Sequence, residues 1–437
     1  MAEVDRISFL PEEIKISILS RLQVKDAIRT SALARSWRDV YTLLPSLRLG
    51  CYLDRLGDTS KDFDSRPVSS SWMQRVNHVV SSLQGPFLLF RLSLFMNFVP
   101  SNLLQSLLDL LFQKGGVQML HLHCYYSFYS LKVIWLPPFH SLKVLQLSGC
   151  QLILPNEFQG FHFHCLTTLS LYDVIISNHH LQLLLDESKN LTTFMFNARD
   201  LDLAPDISLN ISLPFLTHAQ FQINEMVHKI CLVSTPRLEK AHITVSISLS
   251  EKLARVTWGL LTGVSMVSSL HLGLDVLKAL SLLALPFNFS FPQLKCLRFY
   301  LNVATMDKRT CNVFHWLLKS MPFLEELNIE LLSISEQTEG VATLMRELLV
   351  KKQNGVPCLD QTLKSVTMHM YLLLEVMSGI TVVKFFLLNA KVLKLMKILY
   401  CDDELSMIEE LHKAEIASLD AKVVMFNTKT EVTVNVK

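Results

Sequence analysis

His121 and His123 stand two residues apart, and further histidines gather at His162-Phe163-His164-Cys165 and His179-His180. On a strand, residues i and i+2 share a face, so His121 and His123 could ligate zinc if a neighbouring strand brought a third ligand. The same residues also read as polar side chains on an uncharged surface, which needs no metal. Nine cysteines are scattered without a CxxC pair, a set that fits reduced thiols of an intracellular chain. No carboxylate pair, glycine-rich phosphate loop or nucleophile motif is present, and Gly115-Gly116 reads as a turn. No cofactor, metal or catalytic residue is therefore expected.

The elements that would position these residues must be built from an unusual composition. Of 437 residues, 50% are hydrophobic, only 18% are charged, and 82 are leucine. Such a chain either buries a great deal of surface or enters a membrane. A spanning helix needs about 20 predominantly apolar residues in a row. The best stretches fail, because 270–291 carries Asp275 and Lys278, and 371–388 carries Glu375 and Lys384. The start of the chain has no basic region followed by an apolar stretch, so no secretory signal is read and the cytoplasm or nucleus is expected. A formal net charge of +2 gives no general attraction to nucleic acid or to an acidic membrane.

The segment 5–50 interleaves charges with apolar residues. Leu10-Pro11-Glu12-Glu13 places proline and two acids at a helix start, and Ile14, Ile18, Leu19 and Leu22 follow at helical spacing. A second helix is expected from Asp26 as N-cap through Ala27, Ile28, Ser31, Ala32, Leu33 and Trp37. Two or three short helices cannot bury all these apolar positions alone, so part of the face should await a partner. The run Leu10-Pro11-Glu12-Glu13-Ile14, Ile18-Leu19-Ser20-Arg21-Leu22, Val24-Lys25-Asp26-Ala27-Ile28 and Leu33-Ala34-Arg35-Ser36-Trp37-Arg38 strongly resembles the F-box, with Gln23 where plant members usually have proline. The resemblance implies docking on the Skp-family adaptor of a cullin-based ubiquitin ligase, through Leu10, Pro11, Ile14, Ile18, Leu19, Leu22, Val24, Ile28, Leu33 and Trp37.

The remaining leucines have a period. Apolar residues at positions 1, 4 and 6, the strand core of a leucine-rich repeat, recur at Leu142, Leu145, Leu147; at Leu166, Leu169, Leu171; and at Leu191, Phe194, Phe196. Backwards the register reaches Val117 and Phe87. Forwards it reaches Leu216, Leu238, Val267, Leu294 and Leu324, with starts 22 to 30 residues apart. Proline precedes the strand at Pro214, Pro236, Pro292 and Pro322, favouring an extended lead-in, while 181–185 and 314–318 read as helical returns. Such units expose apolar edges unless neighbours stack on both sides. Because strand side chains alternate, positions 5 and 7 should form a concave, client-binding surface. Its residues include His121, His123, Gln146, Tyr172, Asn197, Gln220, Gln222, His242, His271, Arg298, Tyr300 and Asn328, which are polar and nearly uncharged.

After Thr338 the spacing breaks, and the next strand core, Leu363, Val366, Met368, comes 39 residues on. From Val382 to Ile398 the pattern is helical. Its run Lys384-Phe385-x-Leu387-x-Asn389-Ala390-x-x-Leu393-x-x-Met396-x-Ile398 resembles the FBD domain that follows the repeats in plant F-box proteins, and a capping role is expected for it. The expected organisation is an F-box helical module over 5–50, a linker or solenoid cap over 51–86, leucine-rich repeats over 87–340 and an FBD-like domain over 350–430. The fold class is an α/β leucine-rich-repeat solenoid (horseshoe), preceded by a small all-α F-box hairpin and followed by an α+β FBD-like cap. Resemblance to the plant F-box/FBD/leucine-rich-repeat family implies a non-catalytic substrate-recognition subunit of an SCF-type ligase. Its partners would be the adaptor, through it a cullin-RING ligase, and a client protein, with neither nucleic acid nor membrane. Two alternatives stay open: an adaptor-binding scaffold without degradation, and a small-molecule sensor in which Arg298 beside Tyr300 would meet an acidic ligand.

Overall fold

The computed structural model describes residues 6–22, 24–50, 70–84, 88–95, 101–125, 132–137, 139–154, 163–197, 207–246, 250–284, 289–302, 307–332, 355–370, 376–400, 411, 415–429 and 433–435. The chain divides into two compact units. One comprises Met1–Pro205 with Ser212–Leu216, the other Asp206–Ile211 with Thr217–Lys437.

The first unit begins with helices α1 (Glu12–Leu19) and α2 (Val24–Arg29), followed by 3-10 turns at Thr30–Ala32, Arg35–Trp37 and Val40–Leu43. Pro11 precedes α1 with Glu12 and Glu13 in its first turn, as the sequence indicates. The second helix differs from expectation. It starts at Val24, so Asp26 lies inside its first turn, and it breaks after Arg29 into 3-10 turns. Thr30 and Ser31 hydroxyls donate to the carbonyls of Ala27 and Ile28, giving those carbonyls partners where the α-helical ladder ends. Leu19, Ala27, Trp37, Val40 and Leu44 fill the module's core, with Leu10, Ile16, Ala34 and Tyr41 packed against it.

The module runs directly into β1 (Ser46–Gly50), which no repeat template had marked. Then come α3 (Ser70–Ser82), β2 (Leu89–Phe95), α4 (Ser101–Lys114), β3 (Met119–Tyr125), β4 (Lys132–Trp135), β5 (Val144–Ser148), β6 (Cys150–Ile153), β7 (Thr168–Tyr172), β8 (Ile175–Ile176), α5 (Asn178–Glu187) and β9 (Thr193–Asn197). Strands β1, β2, β3, β5, β7 and β9 form one parallel ladder. Its register aligns Leu47, Phe90, Leu120, Leu145, Leu169 and Phe194 across the strands, every one fully buried. The template positions thus became one continuous inner row, each side chain worth about 2 kcal/mol of apolar burial. A second small sheet, β4-β6-β8, was not foreseen. It arises where the chain turns just after β5 at Gly149, whose φ of 68° favours a residue without Cβ.

The second unit contains β10 (Ile207–Ser212), β11 (His218–Ile223), β12 (Val227–Ser234), β13 (Lys240–Val245), α6 (Glu251–Gly263), β14 (Ser269–Leu272), α7 (Val276–Leu280), β15 (Cys296–Asn302), α8 (Lys308–Lys319), β16 (Glu326–Leu332), α9 (Pro357–Gln361), β17 (Ser365–Met370), α10 (Val376–Asn389), β18 (Leu395–Tyr400), β19 (Lys422–Asn427) and β20 (Thr433–Asn435). The ladder order is β11-β13-β14-β15-β16-β17-β18-β19-β20, with β10 and β12 paired separately. All neighbours from β11 to β19 run parallel, and β20 closes the edge antiparallel. Two features depart from the sequence reading. The broken spacing after Thr338 does not break the ladder, because Leu327 aligns with Val366 and Ile329 with Met368. The helical pattern over 382–398 holds only to Asn389, and a turn at Lys391 and Val392 leads into strand β18. The buried face of α10 carries Phe385 and Phe386, whose rings meet Phe314 of α8 at 6.2 and 6.5 Å. Among the described residues no helix is long and apolar enough to cross a membrane.

Candidate functional site

Two surfaces were expected to carry recognition, and each is built from local rules. On α1 the inward positions are Lys15 and Leu19, one turn apart, and this leaves Ile14 and Ile18 exposed on the other side. Leu22 continues the exposed row beyond the helix, with Phe9 at 81% and Leu33 at 71% exposure. Pro11 is exposed, while Leu10, Val24 and Ile28 are half-buried. Leu19 and Trp37 behave differently from their sequence assignment. They are 1% and 3% exposed, because a module this small needs its largest side chains for its own core. They support the outer face from beneath rather than forming it. Ile7 and Phe9, exposed beside Leu10, were not singled out from sequence; their apolar character just before the Leu-Pro pair was the available signal.

Lys15 too was passed over by sequence reasoning. Its buried ammonium donates to the carbonyls of Ser8 at 3.0 Å and Ser36 at 3.3 Å and lies 5.6 Å from the centre of the Trp37 ring. The Ser36 hydroxyl also donates to the Ser8 carbonyl, at 3.0 Å. The segment before α1 is thereby tied to the 3-10 turns that follow α2, and a buried charge is held by acceptors and a π face.

The second surface is the set of strand faces. In the first unit, Arg91, His121 and Gln146 are cross-strand neighbours, as are Ser148, Tyr172 and Asn197. Tyr172 is exposed, and His123 and Gln146 are half-buried. His121 and Asn197 are buried, against expectation. The Arg91 guanidinium donates to His121 Nδ1 at 2.9 and 3.1 Å. Burial first, then the Arg91 charge with His123 and Arg48, pushes the His121 pKa down to about 4. His123 is lowered by burial and by Arg91. A nitrogen already engaged by a guanidinium is a poor metal ligand, and a neighbouring cation repels a second one. Among the described residues no group of three or more His, Cys, Asp or Glu side chains could hold a metal ion.

In the second unit, Gln220, His242, His271, Arg298 and Asn328 align across five strands. Gln220, Gln222, His242, His271, Tyr300 and Asn328 are half-buried and Arg298 is exposed. The His242 and His271 rings stack at 3.9 Å, and Tyr300 follows at 5.6 Å from His271. Thr244 Oγ1 lies 3.0 Å from His242 Nε2. Glu330, 3% exposed on the same face, forms an ion pair with Arg298. The cation proposed to meet an acidic ligand is therefore neutralised within the chain.

Comparison with known proteins agrees with this architecture. The F-box domain family matches residues 7–41 and the FBD family residues 352–398. The family described as FBD-associated F-box protein At5g56370, LRR repeats, matches residues 104–329, more than half of the chain. The F-box/FBD/LRR-repeat protein At1g13570 of Arabidopsis thaliana is 27% identical over 56% of this chain, and the chain spans 54% of that relative's length. The FBD-associated F-box protein At4g10400 of the same plant is 23% identical over 84% of this chain and 87% of the relative. A third, F-box/LRR-repeat protein At4g14096, is 36% identical over 28% of the chain.

Proposed function

The chain belongs to the plant F-box/FBD/LRR-repeat family, and on that premise we propose that it is the substrate-recognition subunit of a cullin-based ubiquitin ligase. Its helical module docks on a Skp-family adaptor in the cytoplasm or nucleus, and its strand faces hold a client protein. The observation that carries this reading is the exposed apolar row Ile14, Ile18 and Leu22, on a module that also exposes Phe9 and Leu33. It lies on a module whose core is already filled by other residues, so the row does no packing work within the module. Several large apolar side chains exposed on so small a module favour a binding surface.

The chain's part in the chemistry is proximity. Holding a client near the ubiquitin-loaded enzyme raises the effective concentration of its lysines without a catalytic side chain from the receptor. The test is recovery of the adaptor by the purified full chain, compared with Ile14→Asp/Ile18→Asp. Both positions are exposed, so the module should keep its fold while a charge enters the interface. Adaptor binding falls at least about tenfold if the row is the docking face. Full retention of the adaptor by the folded variant overturns the reading. Client accumulation on proteasome inhibition then separates a receptor from a scaffold.

A further inference from the structure

The strand face of the second unit changes chemistry along its length. From β15 to β16 Arg298 pairs with the buried Glu330, the Asn328 amide points at the Cys296 sulfur 4.0 Å away, and Glu326 stands exposed at the start of β16. On β18 the face positions, set by alternation with buried Met396, Ile398 and Tyr400, are Leu395, Lys397 and Leu399. On β19, alternation with Val423 and Met425 leaves Lys422, Val424 and Phe426. Here the polar rows give way to apolar side chains carrying two cations.

We propose that this β18–β19 face is the part of the receptor that grips the client, and that its occupant is an extended client segment mixing acidic and apolar side chains. The proposal rests on the receptor reading above. Among the described residues neither Lys397 nor Lys422 has an ion-pair partner, and β17, β18 and β19 present no acid on this face. Among the described strand residues the nearest carboxylates on this face, Glu326 and Glu330, stand on β16, two strands from β18, and Glu330 is already paired. Lys422 aligns with Leu395, so the two lysines are diagonal neighbours roughly 8 Å apart at usual strand spacing and rise. That matches acidic side chains two residues apart on an extended chain, which also lie on one side of it. The Lys397 ammonium sits 5.8 Å from the Phe426 ring centre, holding one cation over the apolar strip.

Two other classes of occupant fit less well. Leu395, Leu399, Val424 and Phe426 are all only partly exposed, set within the pleat of the sheet, where a peptide side chain reaches and a flat bilayer does not. Nucleic acid would want a track of cations and open rings, whereas here two lysines stand among four apolar side chains and one of them covers the Phe426 ring.

The experiment uses the full chain and a fluorescent ten-residue peptide with Glu at positions 4 and 6 and Leu or Phe at positions 2 and 8, all on one side of the extended chain, against a twin with Lys in place of Glu. The acidic peptide should bind the wild-type chain and lose at least about tenfold affinity on Lys397→Glu/Lys422→Glu, while the reversed variant gains preference for the basic twin. Lys397→Gln/Lys422→Gln, checked for an unchanged melting profile, should lose part of the affinity and guards against a folding defect. Equal binding of both peptides, no binding of the acidic one, or unchanged affinity in the folded variants overturns the proposal. Binding of anionic vesicles that is lost with the same substitutions, in place of the peptide, overturns it in favour of a membrane. Adaptor recovery is measured on the same preparations, so loss of the ligase reading registers separately from loss of this face.

Discussion

The imidazoles of His242 and His271 lie face to face on adjacent strands, 3.9 Å between centres and 7° between planes. Burial and the Arg298 charge favour the neutral form of both rings. The His271 pKa is pushed down to about 4 by burial, then by His242 and Arg298, against an opposing pull from Glu330. His242 is lowered by burial and by Arg298.

From this follows a pH dependence. An unfolded histidine titrates near 6.5, so between about 6.5 and about 4 the unfolded chain binds protons that the native chain refuses. Stability is fully present above the unfolded value and is lost as pH falls toward the folded one. Thermal unfolding from pH 7.5 to 4.5 should show a falling midpoint, with a shallower fall for His271→Phe, which stacks but cannot titrate. Equal slopes for the two proteins would exclude the stack as the origin.

Gly273 makes the arrangement beside this stack possible. A Cβ there would lie close against the Thr244 side chain, which holds His242. Gly273→Ala should destabilise the protein by about 1–3 kcal/mol, as overpacking does. Thr244→Ala in the same chain should recover part of that loss, measured by denaturant unfolding.

Arg298 and Glu330 form a pair with one buried member. Arg298→Ala leaves the Glu330 carboxylate buried without its cation, at a cost of up to about 3 kcal/mol. Adding Glu330→Gln should restore most of it, and a double-mutant cycle reads the coupling. Additive losses would show that the pair contributes little.

On the helical module, neighbouring residues should separate stability from docking. Leu19→Ala empties the core and should cost about 2–5 kcal/mol. Ile18→Ala, on the exposed side, should change stability by less than about 0.5 kcal/mol while weakening adaptor recovery. Parallel melting and pull-down measurements distinguish the two, and a stability loss at Ile18 as large as that at Leu19 would contradict the assignment of faces.

Much of the fold was legible because period and alternation are local properties. Leu145, Leu169 and Phe194 follow a template that any strand must obey if one side is buried, and they met in register. The spacing of Ile14, Ile18 and Leu22 likewise marked an apolar stripe, now found exposed. Legibility failed where two local signals coincide. The run 382–398 reads as helix throughout because its apolar residues recur at three and four, yet Leu393, Met396 and Ile398 also satisfy the strand template. The sheet edge offered by β17 decided for a strand.

The candidate surfaces divide the same way. Sequence alone determined which positions face outward, since alternation depends only on neighbours in the chain. Tertiary structure decided which of those side chains remain available, because their partners come from other strands: Arg91, 30 residues from His121, and Glu330, 32 residues from Arg298. Contacts between side chains so distant in sequence leave no periodic trace. Only the parallel register that stacks one unit on the next brings them together, and the same register leaves Lys422 exposed and Lys397 half-buried over Phe426 with no acid on the neighbouring described strands.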